Sequence, residues 1–265
     1  MQKYQFFRIE TFSHDNARGI VSEILRVPSY CKHVEQPLST YPVFSGVFDL
    51  NEAPRLLRYL IEYSNAKTLH KTPHNRHVFA AGITSYPLTL DLIESDPAEL
   101  ALYLKWERLT LNFLKMEFKD NLFNVSSHLD ERFPHLHFFV MPRLMPDGKI
   151  NLNAHPGRNS NLKNQNETGK VKMCRFRAEM SALLRRFYHS VGIYLGMTLK
   201  GQITRKRALK RIWLKKIKPE SDKKIEEMVK LKSVPTVCPE NKPVITEWNN
   251  PFLYKCNVTK PLKSL

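Results

Sequence analysis

The sequence predicts an α+β fold with a basic helical segment on its C-terminal side, and three observations carry this. Two short β-prone runs, 122–128 and 135–142, flank a short polar connection and read as a hairpin. A long helical stripe opened by Asp96-Pro97 precedes them, with proline at the position where a helix loses nothing by lacking an N–H. Between 170 and 232, nineteen Lys and Arg face five acidic residues, so fourteen of the chain's seventeen net positive charges sit there and the rest is nearly neutral. With 265 residues, 42% hydrophobic and 25% charged, the chain can bury a core without disulfide staples.

Taken in order, Lys3–Glu10 is aromatic and β-prone, and a short helix over Asn16–Arg26 places Ile20, Val21, Ile24 and Leu25 on one face. Pro28, Pro37 and Pro42 break the next stretch into a loop, after which Asn51 caps a helix carrying Leu56, Leu57, Leu60 and Ile61. His77–Leu92 contains two strand-like runs, HVFAAGITS and LTLDLI, separated by Tyr86 and Pro87. The helix opened at Asp96 runs to about Lys119, with Leu100, Leu104, Leu111 and Leu114 as its buried stripe. LFNVSSH (122–128) and HLHFFVMP (135–142) then form the hairpin. Asn153–Gly169 reads as a flexible excursion, Arg175–Leu195 as a helix closed by Gly196, Thr204–Lys218 as a basic helix, and the proline-bearing stretch past Lys232 as an extended tail.

The charge balance favours a polyanionic partner. No run of eighteen apolar residues exists and the first ten residues carry Lys3, Arg8 and Glu10, so neither membrane insertion nor a signal peptide is expected, and the expected location is the cytoplasm. Cys31, Cys174, Cys238 and Cys256 show no C-x-x-C spacing and read as free thiols.

The sharpest local feature is His128-Leu-Asp-Glu-Arg-Phe-Pro-His-Leu-His137. Side chains alternate along a strand, so His135 and His137 share a face while Leu136 turns away. If Leu129–Pro134 turns the chain back, His128 comes opposite His135, at about 5 Å between Cβ atoms. Three imidazoles then converge on one cation and leave coordination positions open, the pattern of a catalytic rather than a structural site. Asp130 and Glu131, on the connection, are placed to orient those rings or to take a proton.

At these residues the chain resembles the MobV-type (Mob/Pre, plasmid recombination) mobilisation relaxases, whose His-x-Asp-Glu-x-x-Pro-His-x-His motif stands complete as His128, Asp130, Glu131, Pro134, His135 and His137. The flanks WERLTLNFLKMEFKDN, PDGKIN and RAEMSALLRRFYHSVGIYLGMTLKG look like the same family, so the resemblance covers roughly residues 3–216. It implies an HUH-type endonuclease. Such a protein has a central antiparallel sheet flanked by helices, and a divalent ion, Mn²⁺ or Mg²⁺, held by His128, His135 and His137. It nicks single-stranded or hairpin origin-of-transfer DNA by transesterification through a covalent intermediate, with a conjugative coupling protein as a further partner. Imidazole ligands alone would also suit zinc.

The family's N-terminal His-Asn-x-Arg motif meets Ser13-His14-Asp15-Asn16-Ala17-Arg18 one residue out of register, which offers His14 as nucleophile and Arg18 as a DNA contact. His33 and Tyr30 are the alternatives. Arg205, Lys206, Arg207, Lys210, Arg211 and Lys215, arrayed around Leu209, Ile212 and Trp213, are the expected phosphate contacts of the basic helix. The expected organisation is a relaxase domain over 1–200, a DNA-binding segment over 201–232 and a tail over 233–265. Two other readings stay open: a DNA-binding mobilisation or replication-control protein that does not cleave, and a rolling-circle initiator that uses a tyrosine such as Tyr30 or Tyr188.

Overall fold

Hydrogen bonding between extended segments joins β1 (Phe6–Ser13), β2 (Tyr41–Ser45), β3 (His77–Ser85), β4 (Leu122–His128) and β5 (His135–Val140) into one antiparallel sheet. The strand order is β1-β3-β5-β4-β2, so the second strand of the hairpin is its middle strand. The computed structural model describes residues 3–34, 36–68, 71–73, 75–151, 155 and 168–199. The basic segment 204–218, the tail beyond 232 and nearly all of the Asn-rich stretch lie outside the described residues, and with them Arg205, Lys206, Arg207, Lys210, Arg211 and Lys215.

Among the described residues, five α-helices complete the α+β architecture: α1 (Ala17–Ile24), α2 (Ala53–Thr68), α3 (Leu90–Ser95), α4 (Pro97–Phe118) and α5 (Gly169–Ser190). One face of the sheet is covered by α4 and α5 through aromatic contacts. Phe7 meets Phe113 and Phe187 at ring separations of 5.8 and 4.9 Å, and Phe138 stacks on Phe118 at 5.6 Å. The other face carries a stack of Phe12, Phe79 and Phe139 at one end and the three histidines of the hairpin at the other. Gly82 on β3 lies under the Phe138 ring, where a Cβ would come within 2.2 Å of Phe138 Cζ and 2.5 Å of the Arg8 carbonyl oxygen. A small second sheet pairs β6 (Arg143–Leu144) with β7 (Ile150–Asn151), and Gly148 at φ +82° makes its turn.

Several expectations are corrected. The LTLDLI run forms no strand; Leu90–Ser95 is the short helix α3, with Leu88 and Ile93 buried and Leu92 half exposed. The alternation of its leucines fits a strand, but the run coils into a helix that packs against α4 and buries Ile93. Tyr41–Ser45 is a strand despite Pro42, because β2 is the outermost strand and carries a bulge between Pro42 and Phe44, where a missing N–H is tolerated. The stripe of α4 is aromatic, with Tyr103, Trp106, Phe113, Leu114 and Phe118 buried while Leu100, Leu104 and Leu111 stay partly exposed. Asp49, not Asn51, caps the turn leading into α2, its carboxylate accepting the Asn51 N–H at 2.7 Å. The cap at Asp96 forms as expected, with its Oδ1 accepting the Ala98 N–H at 2.9 Å. Among the described residues no helix is long and apolar enough to cross a membrane, and Cys31 and Cys174 are free thiols.

Candidate metal centre

The β4–β5 register puts His128 opposite His135 and Ser126 opposite His137, so the three imidazoles share one face of the sheet. Their ring centroids lie 4.6 to 5.1 Å apart, and one ligand atom from each lies within 4.8 Å of the others. His128 and His135 are buried, whereas His137 keeps partial exposure and marks the open side.

Two backbone carbonyls set the rings. His128 Nε2–H donates to the Ile24 carbonyl at 2.7 Å, one of the acceptors that the C-terminal end of α1 leaves without a helical partner. Thr40 Oγ1–H donates to the same carbonyl at 2.8 Å. His135 Nδ1–H donates to the Phe133 carbonyl at 2.9 Å. Each bond uses one ring nitrogen as donor and leaves the other with a lone pair, and both remaining nitrogens, His128 Nδ1 and His135 Nε2, are buried with no hydrogen-bond partner among the described residues. A buried acceptor without a donor is costly, and a cation is the group that such an atom fits.

Burial is the first cause that pushes all three imidazoles below their ordinary pKa. The neighbouring rings lower His128 and His137 well below it, and the Arg26 guanidinium adds to the effect at each of the three. Neutral imidazole is the metal-ligating form.

Behind the rings lies a network that the sequence does not announce. Arg26, with a side chain only 2% exposed, sends Nη2 to Asp130 Oδ1 at 2.6 Å and to Glu131 Oε1 at 3.3 Å. The Leu38 N–H donates to Asp130 Oδ2 at 3.2 Å. His33 Nε2 is 3.1 Å from Glu131 Oε1, and its side chain is 42% exposed. His128, His135, His137, Asp130, Glu131 and His33 are therefore brought together. Tyr30, in the same loop as His33, is exposed and sets its ring against Gly19 of α1.

His14 and Arg18 are not part of this assembly. Ser13 pairs with His77 at one end of β3, and Ser85, eight residues on, pairs with His135. At about 3.3 Å per residue, the six to eight residues of β3 between His77 and the partners of His137 and His135 put His14 roughly 20–25 Å along the sheet from the triad. There it pairs with Asp15 at 3.0 Å, and Arg18 is exposed on the first turn of α1. Sequence reading missed Arg26, the Ile24 carbonyl and the Thr40 hydroxyl that shares it, because the carboxylate and histidine partners of the first two lie about a hundred positions away and no spacing rule reaches them.

Sheet and centre together define an α+β domain with an open three-histidine site able to hold a metal ion. The chain matches no protein-family model and no curated protein. Among solved structures it is similar to the MobM relaxase domain (MOBV, Mob_Pre) bound to 26-nucleotide pMV158 oriT DNA, at 15% identity over 77% of this chain and 97% of that one, TM-score 0.44. A Mn-bound crystal structure of the same domain with pMV158 oriT DNA matches at 16% identity over 77% and 95% of the two chains, TM-score 0.47. A structure described as the molecular basis of vancomycin resistance transfer in Staphylococcus aureus matches at 13% identity over 70% and 93%, TM-score 0.34. At these TM-scores the likeness bears on neither the chemistry of the site nor its substrate.

Proposed function

We propose that this protein is a plasmid mobilisation relaxase, which nicks one strand of origin-of-transfer DNA and keeps the cut end on itself through a covalent bond. One observation carries the reading: three imidazoles, two of them with a bare nitrogen left by carbonyl hydrogen bonds, converge beside a histidine–carboxylate pair. His128, His135 and His137 would hold the ion, and a divalent ion, Mn²⁺ or Mg²⁺, supplies Lewis-acid polarisation of a phosphoryl oxygen.

His33 is the nucleophile in this reading, in preference to His14, and the support is its contact with Glu131 and its exposure. With Nε2–H donated to Glu131, Nδ1 carries the lone pair. Attack by Nδ1 forms an N–P bond and breaks the P–O bond to the departing sugar. Glu131 takes the Nε2 proton as the ring acquires positive charge, and then returns it to the departing sugar oxygen. Arg18 and the basic residues of 205–215 would hold phosphates of the single strand, with a conjugative coupling protein as a further partner.

Incubation with a random single-stranded oligodeoxynucleotide library and Mn²⁺, followed by denaturing electrophoresis and peptide mass spectrometry, tests this. The expected result is a DNA-bearing peptide containing His33, absent from His33→Ala and His135→Ala. DNA binding with no adduct under any divalent ion would select a non-cleaving DNA-binding protein, and an adduct on Tyr30 or Tyr188 a replication initiator.

A further inference from the structure

Two carboxylates sit in the sequence between the histidines, Asp130 two residues after His128 and Glu131 four before His135. Chain proximity alone would bring both to a cation at the triad, and carboxylate oxygen is a ligand that Mn²⁺ and Mg²⁺ favour. Yet neither belongs to the converging group, which consists of the three imidazoles. Three of the four carboxylate oxygens are held elsewhere: Asp130 Oδ1 by Arg26 Nη2, Asp130 Oδ2 by the Leu38 N–H, and Glu131 Oε1 by both Arg26 Nη2 and His33 Nε2.

Arg26 occupies a built position. It follows α1 at φ +59°, a left-handed conformation unusual for a residue with a side chain, and this turn sends the guanidinium inward to near-complete burial. Its Nε and Nη1 have no hydrogen-bond partner among the described residues, so the position is not one that satisfies the guanidinium for its own sake. A strained backbone and unmet donors are retained where the arrangement serves the neighbouring site.

We infer that Arg26 is a positioning residue that withholds Asp130 and Glu131 from the metal, so that the ion rests on three neutral imidazoles. The consequence is a loosely held, strongly electrophilic centre with positions left for substrate oxygens, and a Glu131 that stays available to His33. The inference rests on the metal-site reading and does not depend on DNA cleavage. It makes an unusual demand: loss of a residue supporting the site tightens metal binding.

Calorimetric titration of Mn²⁺ into the full chain tests it. Arg26→Gln is expected to bind Mn²⁺ about tenfold or more tightly than wild type, the scale on which residues behind metal ligands act. Its thermal midpoint should also rise more on Mn²⁺ addition than that of wild type. Adding Asp130→Asn and Glu131→Gln to Arg26→Gln should return the affinity to the wild-type value. Equal or weaker binding by Arg26→Gln, or tightening that survives loss of both carboxylates, overturns the inference. Should Arg26→Gln fail to fold, Asp130→Asn with Arg26 intact decides: unchanged affinity supports the withheld carboxylate, and a tenfold loss makes Asp130 a ligand and overturns it. A wild type that takes up no Mn²⁺ overturns the metal-site reading itself, a result distinct from the others.

Discussion

His128 and His135 owe their chemistry to what lies behind them. The Ile24 and Phe133 carbonyls each accept a hydrogen bond from one ring N–H, and the inward nitrogens are left as bare acceptors. Removing one ring leaves two ligands, so His135→Ala should abolish measurable Mn²⁺ uptake in calorimetry while the circular dichroism of the sheet is retained. The metal-free protein should show a second signature. Because folding holds all three imidazoles below the ordinary value of 6.5, the unfolded chain takes up protons below that pH that the native state refuses. Native stability therefore falls as pH drops below 6.5, by up to about 1.4 kcal/mol per unit for each histidine. Urea midpoints of chelator-treated protein should be lower at pH 5.5 than at pH 7.5, and equal midpoints would contradict the burial of the triad.

At the scale of elements, β5 is the strand on which everything depends, since it is paired on both sides and carries histidines on one face and Leu136 and Phe138 on the other. Its neighbour β3 can approach it only because Gly82 leaves room for Phe138. Gly82→Ala forces ring and backbone apart, and overpacking of this kind costs about 1–3 kcal/mol, which a shifted denaturant midpoint with unchanged slope would show. Helix α1 does for the site what β5 does for the core, because its last carbonyl reaches His128 and the residue two beyond it is Arg26. Thr40→Val removes a hydroxyl from that carbonyl and should weaken Mn²⁺ binding within the roughly 10- to 100-fold range of such supporting bonds, with little change in the denaturant midpoint.

For the whole molecule, fourteen of the seventeen net positive charges lie between 170 and 232, and on the proposed function they predict that single-stranded DNA binding falls steeply with salt, roughly as 0.7 of the number of phosphates neutralised on a log–log plot. Replacing Arg205, Lys206 and Arg207 with alanine should flatten that slope by about two and weaken binding evenly across DNA sequences. The hairpin and its three histidines were legible in the sequence because both are local. A six-residue connection and two-residue alternation fix which rings share a face, and no distant contact is needed to set them. The long α4 and its Asp96 cap were legible for the same reason, whereas α3 and β2 were not. Six residues of alternating Leu fit a strand or a helix equally well, and a proline excludes a strand only when the strand has neighbours on both sides. Which histidine stands beside the triad, which groups hold Asp130 and Glu131 and where Arg26 points were decided by tertiary structure alone. Each joins α1 or the loop after it to a hairpin about a hundred residues away, and packing rather than sequence spacing sets such contacts.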